Sequence, residues 1–209
     1  MLAGRISIPA PEGELEGIHR ARSGAAAGVA LLLHPHPLYG GTMDDRVVFR
    51  SARALEDAGL ATLRFNFRGV GASSGRHDGG RGEVDDAAAA LDYLLDRHPG
   101  AARILVVGYS FGAAIAIGLA ARDPRPTALA LIATPLRLAD LEPLAHYAGR
   151  VLAVHGTADS LAPLDPLAAV LAELERPVER CWLDGADHFF ADQLDALAQA
   201  VRDFALRAV

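Results

Sequence analysis

Arg103-Ile-Leu-Val-Val-Gly-Tyr-Ser-Phe-Gly-Ala-Ala-Ile-Ala-Ile-Gly-Leu-Ala-Ala121 changes character halfway along. Ile104–Val107 has the length and composition of a strand buried on both faces. Ala113–Ala121 is a small-residue apolar run of helical length. Between them lies Gly108-Tyr109-Ser110-Phe111-Gly112, a G-x-S-x-G element in the strand-turn-helix setting that the pattern requires. A serine at so sharp a turn is held in a strained conformation with its oxygen pointing out of the sheet. Glycines two residues to either side let strand and helix pass closely. The helix start then aims backbone donors and a positive dipole end at any oxyanion formed there. Ser110 is therefore the candidate nucleophile, and the Phe111 N–H a candidate oxyanion donor.

Outward from this element the chain repeats the same alternation. Further apolar runs occur at Val29–Leu33, Ala61–Phe67, Ala128–Ala133, Val151–Val154 and Val178–Leu183. Between them run segments of helical period. Val47, Val48, Leu55 and Ala58 share one face before Gly59; Val84, Ala88, Leu91, Leu94 and Leu95 share another before Pro99; Leu194, Leu197, Val201 and Phe204 share a last one. Asp165-Pro166 reads as an N-cap followed by proline at the first helical position. At the start, Ile6 and Ile8 alternate with polar residues, Pro11-Glu12-Gly13 supplies a turn, and Leu15 to Arg22 runs extended again. The expected fold class is α/β: a doubly wound, mostly parallel sheet of about eight strands with an N-terminal antiparallel hairpin. No repeat or linker divides the chain, so residues 1–209 are expected to form one domain.

Composition narrows the chemistry. With 209 residues, 51% hydrophobic and 22% charged, the chain can bury a substantial core. Its net charge of −6 lacks the basic footprint of a nucleic-acid binder. All 20 basic residues are arginine, which excludes lysine Schiff-base and P-loop chemistry. The lone Cys181 excludes an internal disulfide and a cysteine zinc cage. Apolar runs around Ala25 to Leu33 and Gly112 to Ala121 fall short of the roughly 20 residues that span a bilayer. The start of the chain has no apolar core of signal-peptide length. A cytoplasmic protein without membrane contact is expected, and an exposed strand edge or helix pair leaves a homodimer open.

A serine hydroxyl needs a histidine to take its proton, and that histidine needs a carboxylate to hold its tautomer. In a fold of this kind the order is serine, acid, histidine. The strand Val151–Val154 runs into His155-Gly-Thr-Ala-Asp159, and Val178–Leu183 runs into Asp184-Gly-Ala-Asp-His188. Asp159 follows Ser110 by 49 residues and His188 follows Asp159 by 29, enough each time for a helix and a strand. All three would then lie on loops at one edge of the sheet, where open α/β folds bind ligands. Among competing acids, Asp165 is explained as a cap, Asp184 lies in an Asp-Gly turn, and Asp187 adjoins His188 too closely to orient its ring.

The chain resembles small, lidless bacterial α/β-hydrolases of the serine-hydrolase type. The resemblance runs through Leu31–Asp44, Arg64–Ser73, the Ser110 elbow, His155–Asp159 and Gly185–Phe189. It implies a Ser110–His188–Asp159 triad acting without a cofactor. The implied reaction is cleavage of a small carboxylic ester or thioester through an acyl-enzyme. Acyltransfer or peptide cleavage by the same triad, and a non-catalytic binding protein on the same fold, are the alternatives. His34-Pro-His-Pro-Leu-Tyr-Gly-Gly41 stands where the family carries its oxyanion loop. Pro35 and Pro37 have no N–H to donate, so the second donor is His36, with Leu38 or a later residue in reserve. Larger relatives insert a lid where this chain has only Thr134–Gly149, with room for one small helix near Leu138 to Tyr147. An open, shallow site is expected.

His34-x-His36 also fits the start of a metal site, but no further ligands stand at a recognisable spacing. Asp44 and Asp45 read as acids in the first turn of a helix. Gly69–Gly75 is expected to shape the rim of the site, with Arg68 either an anchor or a substrate contact. Cys181 reads as a buried strand residue, and His19, His77 and His98 as structural or solvated.

Overall fold

The computed structural model describes residues 4–21, 26 and 28–207. The two ends expected at Arg22 and Ala25 lie outside these residues. Eight strands form one sheet: β1 (Gly4–Ala10), β2 (Gly13–Arg20), β3 (Val29–Leu33), β4 (Ala61–Phe65), β5 (Ile104–Tyr109), β6 (Ala128–Ile132), β7 (Arg150–Gly156) and β8 (Glu179–Leu183). Their spatial order is β1-β2-β4-β3-β5-β6-β7-β8. β1 pairs antiparallel with β2 and β2 with β4, while every later pairing is parallel. Among the described residues five α-helices lie between strands, α1 (Arg46–Asp57), α2 (Arg81–Arg97), α3 (Phe111–Ala120), α4 (Glu142–His146) and α5 (Leu164–Glu173), and α6 (Leu194–Arg207) follows β8. Among the described residues no helix is long and apolar enough to cross a membrane.

The strand period of two sorts the core into two layers. Val29, Leu31 and Leu33 face the layer built with α2, α3 and α5, whereas Ala30 and Leu32 face the layer built with α1 and α6. This is why β3 to β6 are apolar at nearly every position: both faces are covered. The pairing of Leu33 with Gly108 brings the ends of β3 and β5 side by side. The chain then leaves β3 toward α1 on one face and β5 toward α3 on the other. A crevice opens where the two part, at the switch point of the sheet.

Several local expectations shift. α5 begins at Leu164 with no side-chain cap, so Asp165 and Pro166 lie inside its first turn. Proline is tolerated there because first-turn N–H groups have no intrahelical acceptor. Asp45 lies outside α1 and caps it, accepting from Val47 N at 2.8 Å, and Asp44 pairs with Arg64 instead of entering the helix. The short helix in 134–149 spans only Glu142–His146. β4 ends near Phe65: Asn66 N still reaches Glu16 O of β2, but Phe67 N turns away to His34 Nε2.

The loop at 69–75 fastens the N-terminal hairpin rather than edging the crevice. Ser73 and Ser74 accept from the N–H groups of Glu16 and Glu14. Arg68 is a buried anchor whose guanidinium and backbone N–H both bond Asp86. Arg68→Met is expected to cost about 3 kcal/mol, because Asp86 would remain buried and uncompensated. The same change at the exposed Arg122–Asp85 pair is expected to cost less than about 1 kcal/mol. Urea titrations of the two variants check the contrast, and equal losses would show that Arg68 acts only as surface charge.

Candidate active site

Ser110 follows β5 and adopts φ 54°, ψ −117°, a left-handed conformation for a residue with a Cβ. Such a backbone costs on the order of 1–3 kcal/mol and persists only when its surroundings fix it. Here Ser110 N donates to Ile132 O and Ala113 N to Ser110 O, both at 2.8 Å. A Cβ at Gly108 would run into the Gly112 carbonyl, and one at Gly112 into that of Leu33. The two glycines thus let α3 start directly over the β3–β5 junction. The Ser110 hydroxyl is left facing the crevice.

Two neighbouring loops complete a chain of hydrogen bonds. His188, beyond β8, lies with Nε2 3.0 Å from Ser110 Oγ and Nδ1 2.7 Å from Asp159 Oδ2. Asp159, beyond β7, accepts with its other oxygen from Leu161 N at 2.9 Å and Ala162 N at 2.8 Å. Burial pushes its carboxyl upward, but the hydrogen bonds from His188 and Ala162 outweigh this and hold it below the usual carboxylate range. An ionised Asp159 keeps the proton on Nδ1 of His188, which leaves Nε2 as an acceptor for the serine hydroxyl. Tyr109 OH donates to His188 O at 3.0 Å, and burial raises its pKa strongly, so it stays a donor. The competing acids are committed elsewhere: Asp187 to the Phe189 N–H, and Asp184 to the Thr157 hydroxyl.

Above Ser110, the Phe111 N–H opens α3 and lies ahead of that helix's own ladder. His36 faces the same crevice, and its N–H has no acceptor among the described residues. The Leu38 N–H bonds His36 Nδ1 at 3.2 Å, and its side chain is exposed outside the cavity lining. His34 is fully buried and braces the loop. Its Nδ1 lies 2.7 Å from Pro35 O, and its Nε2 accepts from Phe67 N at 3.0 Å. Burial lowers its pKa to about 4, so the ring is neutral. With the lone pairs of His34 Nε2 and His36 Nδ1 both taken by backbone N–H groups, the H-x-H pair has none to offer a metal ion.

One neighbour of the site was not legible as such. The His77 ring centroid lies 4.9 Å from that of His36 and 5.6 Å from that of Phe111. Its Nδ1 is 2.7 Å from Oε1 of the fully buried Glu83. Glu83 also accepts from Asp78 N at 3.0 Å and Gly80 N at 2.8 Å, tying this loop to the start of α2. The only sequence signal is the acid three residues beyond Gly80, the spacing of a capping box.

Ser110, His188, Tyr109 and His36 line a cavity of about 350 Å³. Its wall includes Tyr39, Leu138, Leu161 and Phe189, with 82%, 41%, 48% and 60% of their surfaces exposed, so the crevice is open and its edge apolar. Asp45 and Arg137 are the acidic and basic side chains in the lining apart from His36 and His188.

Residues 32–151 match the protein family described as alpha/beta hydrolase fold. The uncharacterized protein RP471 of Rickettsia prowazekii is 37% identical, over 96% of this chain and 87% of that one. Among solved structures, an alpha-beta serine hydrolase homologue from Coxiella burnetii is 36% identical over 98% of each chain, with a TM-score of 0.87. XC6422 from Xanthomonas campestris, a serine hydrolase without a lid, is 29% identical over 98% of this chain and 94% of that one, with a TM-score of 0.89.

Proposed function

This chain belongs to the α/β-hydrolase family, and from that premise we propose that it is a serine hydrolase cleaving a small carboxylic ester or thioester. The observation that carries the proposal is the continuous link Ser110 Oγ, His188, Asp159, at 3.0 and 2.7 Å, at the foot of an open cavity. His188 takes the hydroxyl proton as Ser110 attacks the acyl carbon. The N–H groups of Phe111 and His36 receive the oxyanion, and Asp159 stabilises the imidazolium. The carbon–oxygen or carbon–sulfur bond breaks as His188 returns its proton to the leaving group. Water then repeats the sequence on the acyl-enzyme and frees the acid and Ser110. No metal ion or cofactor takes part in this scheme.

The direct test is intact mass after exposure to a fluorophosphonate. One adduct on the wild type and none on Ser110→Ala is expected. A folded wild type that stays unlabelled would mean that Ser110 is not activated, and the non-catalytic alternative would replace this reading.

In this reading His77 is a positioning residue, because its ring packs against the side chains of both residues that supply oxyanion donors. Misplacement of a donor by a fraction of an ångström weakens the transition state more than the substrate complex. His77→Ala is expected to lower kcat about tenfold with KM little changed. His77→Phe, which keeps a ring in that place, is expected to recover most of the loss. A rise in KM at constant kcat would instead make His77 a substrate contact.

A further inference from the structure

The charged groups of the cavity are segregated. Arg137 lies exposed on the stretch after β6 and lines the cavity, and among the described residues its guanidinium has no ion pair or hydrogen bond. Most other cavity-lining polar groups already have partners: Asp45 caps α1, His188 links Ser110 to Asp159, and Tyr109 holds His188 O. Arg137 sits toward His36. Burial, then His77, then Arg137 keep the His36 imidazole below its ordinary pKa, against the pull of Glu83. Asp45 caps α1 and lies toward Arg46 and His188, both of which act on its carboxyl.

His36 adds a second donor. Because its Nδ1 accepts the Leu38 N–H, the neutral ring carries its proton on Nε2, and that N–H has no partner among the described residues. A guanidinium and an imidazole N–H, both without protein acceptors, thus border one cavity at the oxyanion side. The same cavity wall carries apolar surface from Leu138 and Tyr39.

The mechanism fixes which part of a substrate comes here. The leaving group must reach His188 to receive its proton, so it departs at the Asp45 end. The oxyanion faces Phe111 and His36, and the remaining substituent, the acyl chain, extends along the apolar wall past them. We propose that the substrate is an ester or thioester whose acyl chain is apolar next to the carbonyl and carries a carboxylate farther out, held by Arg137 and the ring of His36. The inference rests on the hydrolase reading above and adds to it the class of acyl group.

Two measurements test it. The first compares 4-nitrophenyl hexanoate with the 4-nitrophenyl monoester of adipic acid, which share leaving group and chain length and differ in the terminal charge. The wild type is expected to favour the adipate ester about tenfold in kcat/KM, a margin that shrinks as salt screens the contact. In Arg137→Gln the ratio is expected to fall to about one, and in Arg137→Glu to drop below one. A ratio unchanged by these substitutions overturns the proposal. So does a charge preference that appears only when the carboxylate is on the leaving group, as in 4-carboxyphenyl against phenyl hexanoate.

The second measurement needs no turnover. In ¹⁵N-labelled Ser110→Ala, monomethyl adipate is expected to shift the Arg137 Nε–H and His36 ring signals saturably, and methyl hexanoate is not. Absence of the shift overturns the proposal whatever the kinetics. A shift in a protein that hydrolyses neither ester and resists the fluorophosphonate would leave the anion site standing and remove the hydrolase reading.

Discussion

Ser110→Ala is expected to lower kcat on any ester the protein hydrolyses by about 10⁵-fold or more, with the fold unchanged. The size follows from how the group acts. The hydroxyl is the atom that bonds to the acyl carbon, and without it His188 and Asp159 have no proton to move. What remains is the oxyanion donors and the binding surface, which together sustain on the order of 10³–10⁴ over water. Stability is expected to change little, because alanine keeps the Cβ that meets the φ of 54° and the fixing contacts are made by backbone atoms, Ser110 N to Ile132 O and Ala113 N to Ser110 O. Steady-state kinetics with matched thermal unfolding curves check both halves. Activity within tenfold of wild type would sink the assignment of Ser110, and a collapse of the unfolding midpoint would mean that the elbow depends on the hydroxyl for its shape.

How far the sequence reveals this site depends on how local each signal is. The elbow is legible because strand, turn and helix are consecutive, and the glycines at 108 and 112 are required by contacts within that same unit and with β3. The meeting of Asp159 with His188 could be anticipated because each ends a strand and β7 and β8 are neighbours in the sheet. Asp165 reads as a cap in the sequence but lies inside α5, because capping depends on where the backbone leaves the helical region and Asp-Pro fits two such placements. His77 carried no usable signal. It meets His36 only because the segment between β4 and α2 folds back over the β3 loop, and its Gly-rich flanks look like a solvated turn. Arg68 was undecidable for the same reason: its partner Asp86 is 18 residues on, across a helix boundary.

The second large effect isolates a backbone atom. His36 has φ −58°, the value a proline ring imposes, and its N–H has no acceptor among the described residues. His36→Pro therefore removes the proposed donor without demanding a new backbone shape at that residue, and puts the ring Cδ where the oxyanion would sit. His36→Ala loses the same imidazole contacts with Tyr39, His77 and Phe111 but keeps the N–H. The comparison is thus proline against alanine, not against wild type. The proline variant is expected to have kcat lower by about 10²–10³-fold than the alanine variant, the range found when one oxyanion donor is lost. Both should unfold at similar temperatures if the loop is braced mainly by His34, whose ring bonds Phe67 N and Pro35 O from beneath. Equal kcat values in two folded variants would mean that the second donor comes from another residue of the loop. Leu38 would be the first place to look, since its N–H bonds the His36 ring and is released in both variants. The amide of Gly40 or Gly41 would be a poorer candidate, because both bond carbonyls of their own turn, Pro37 O and His36 O. In the wild-type loop, where each of those later amides is committed, His36 is the position whose N–H is left to act on the substrate.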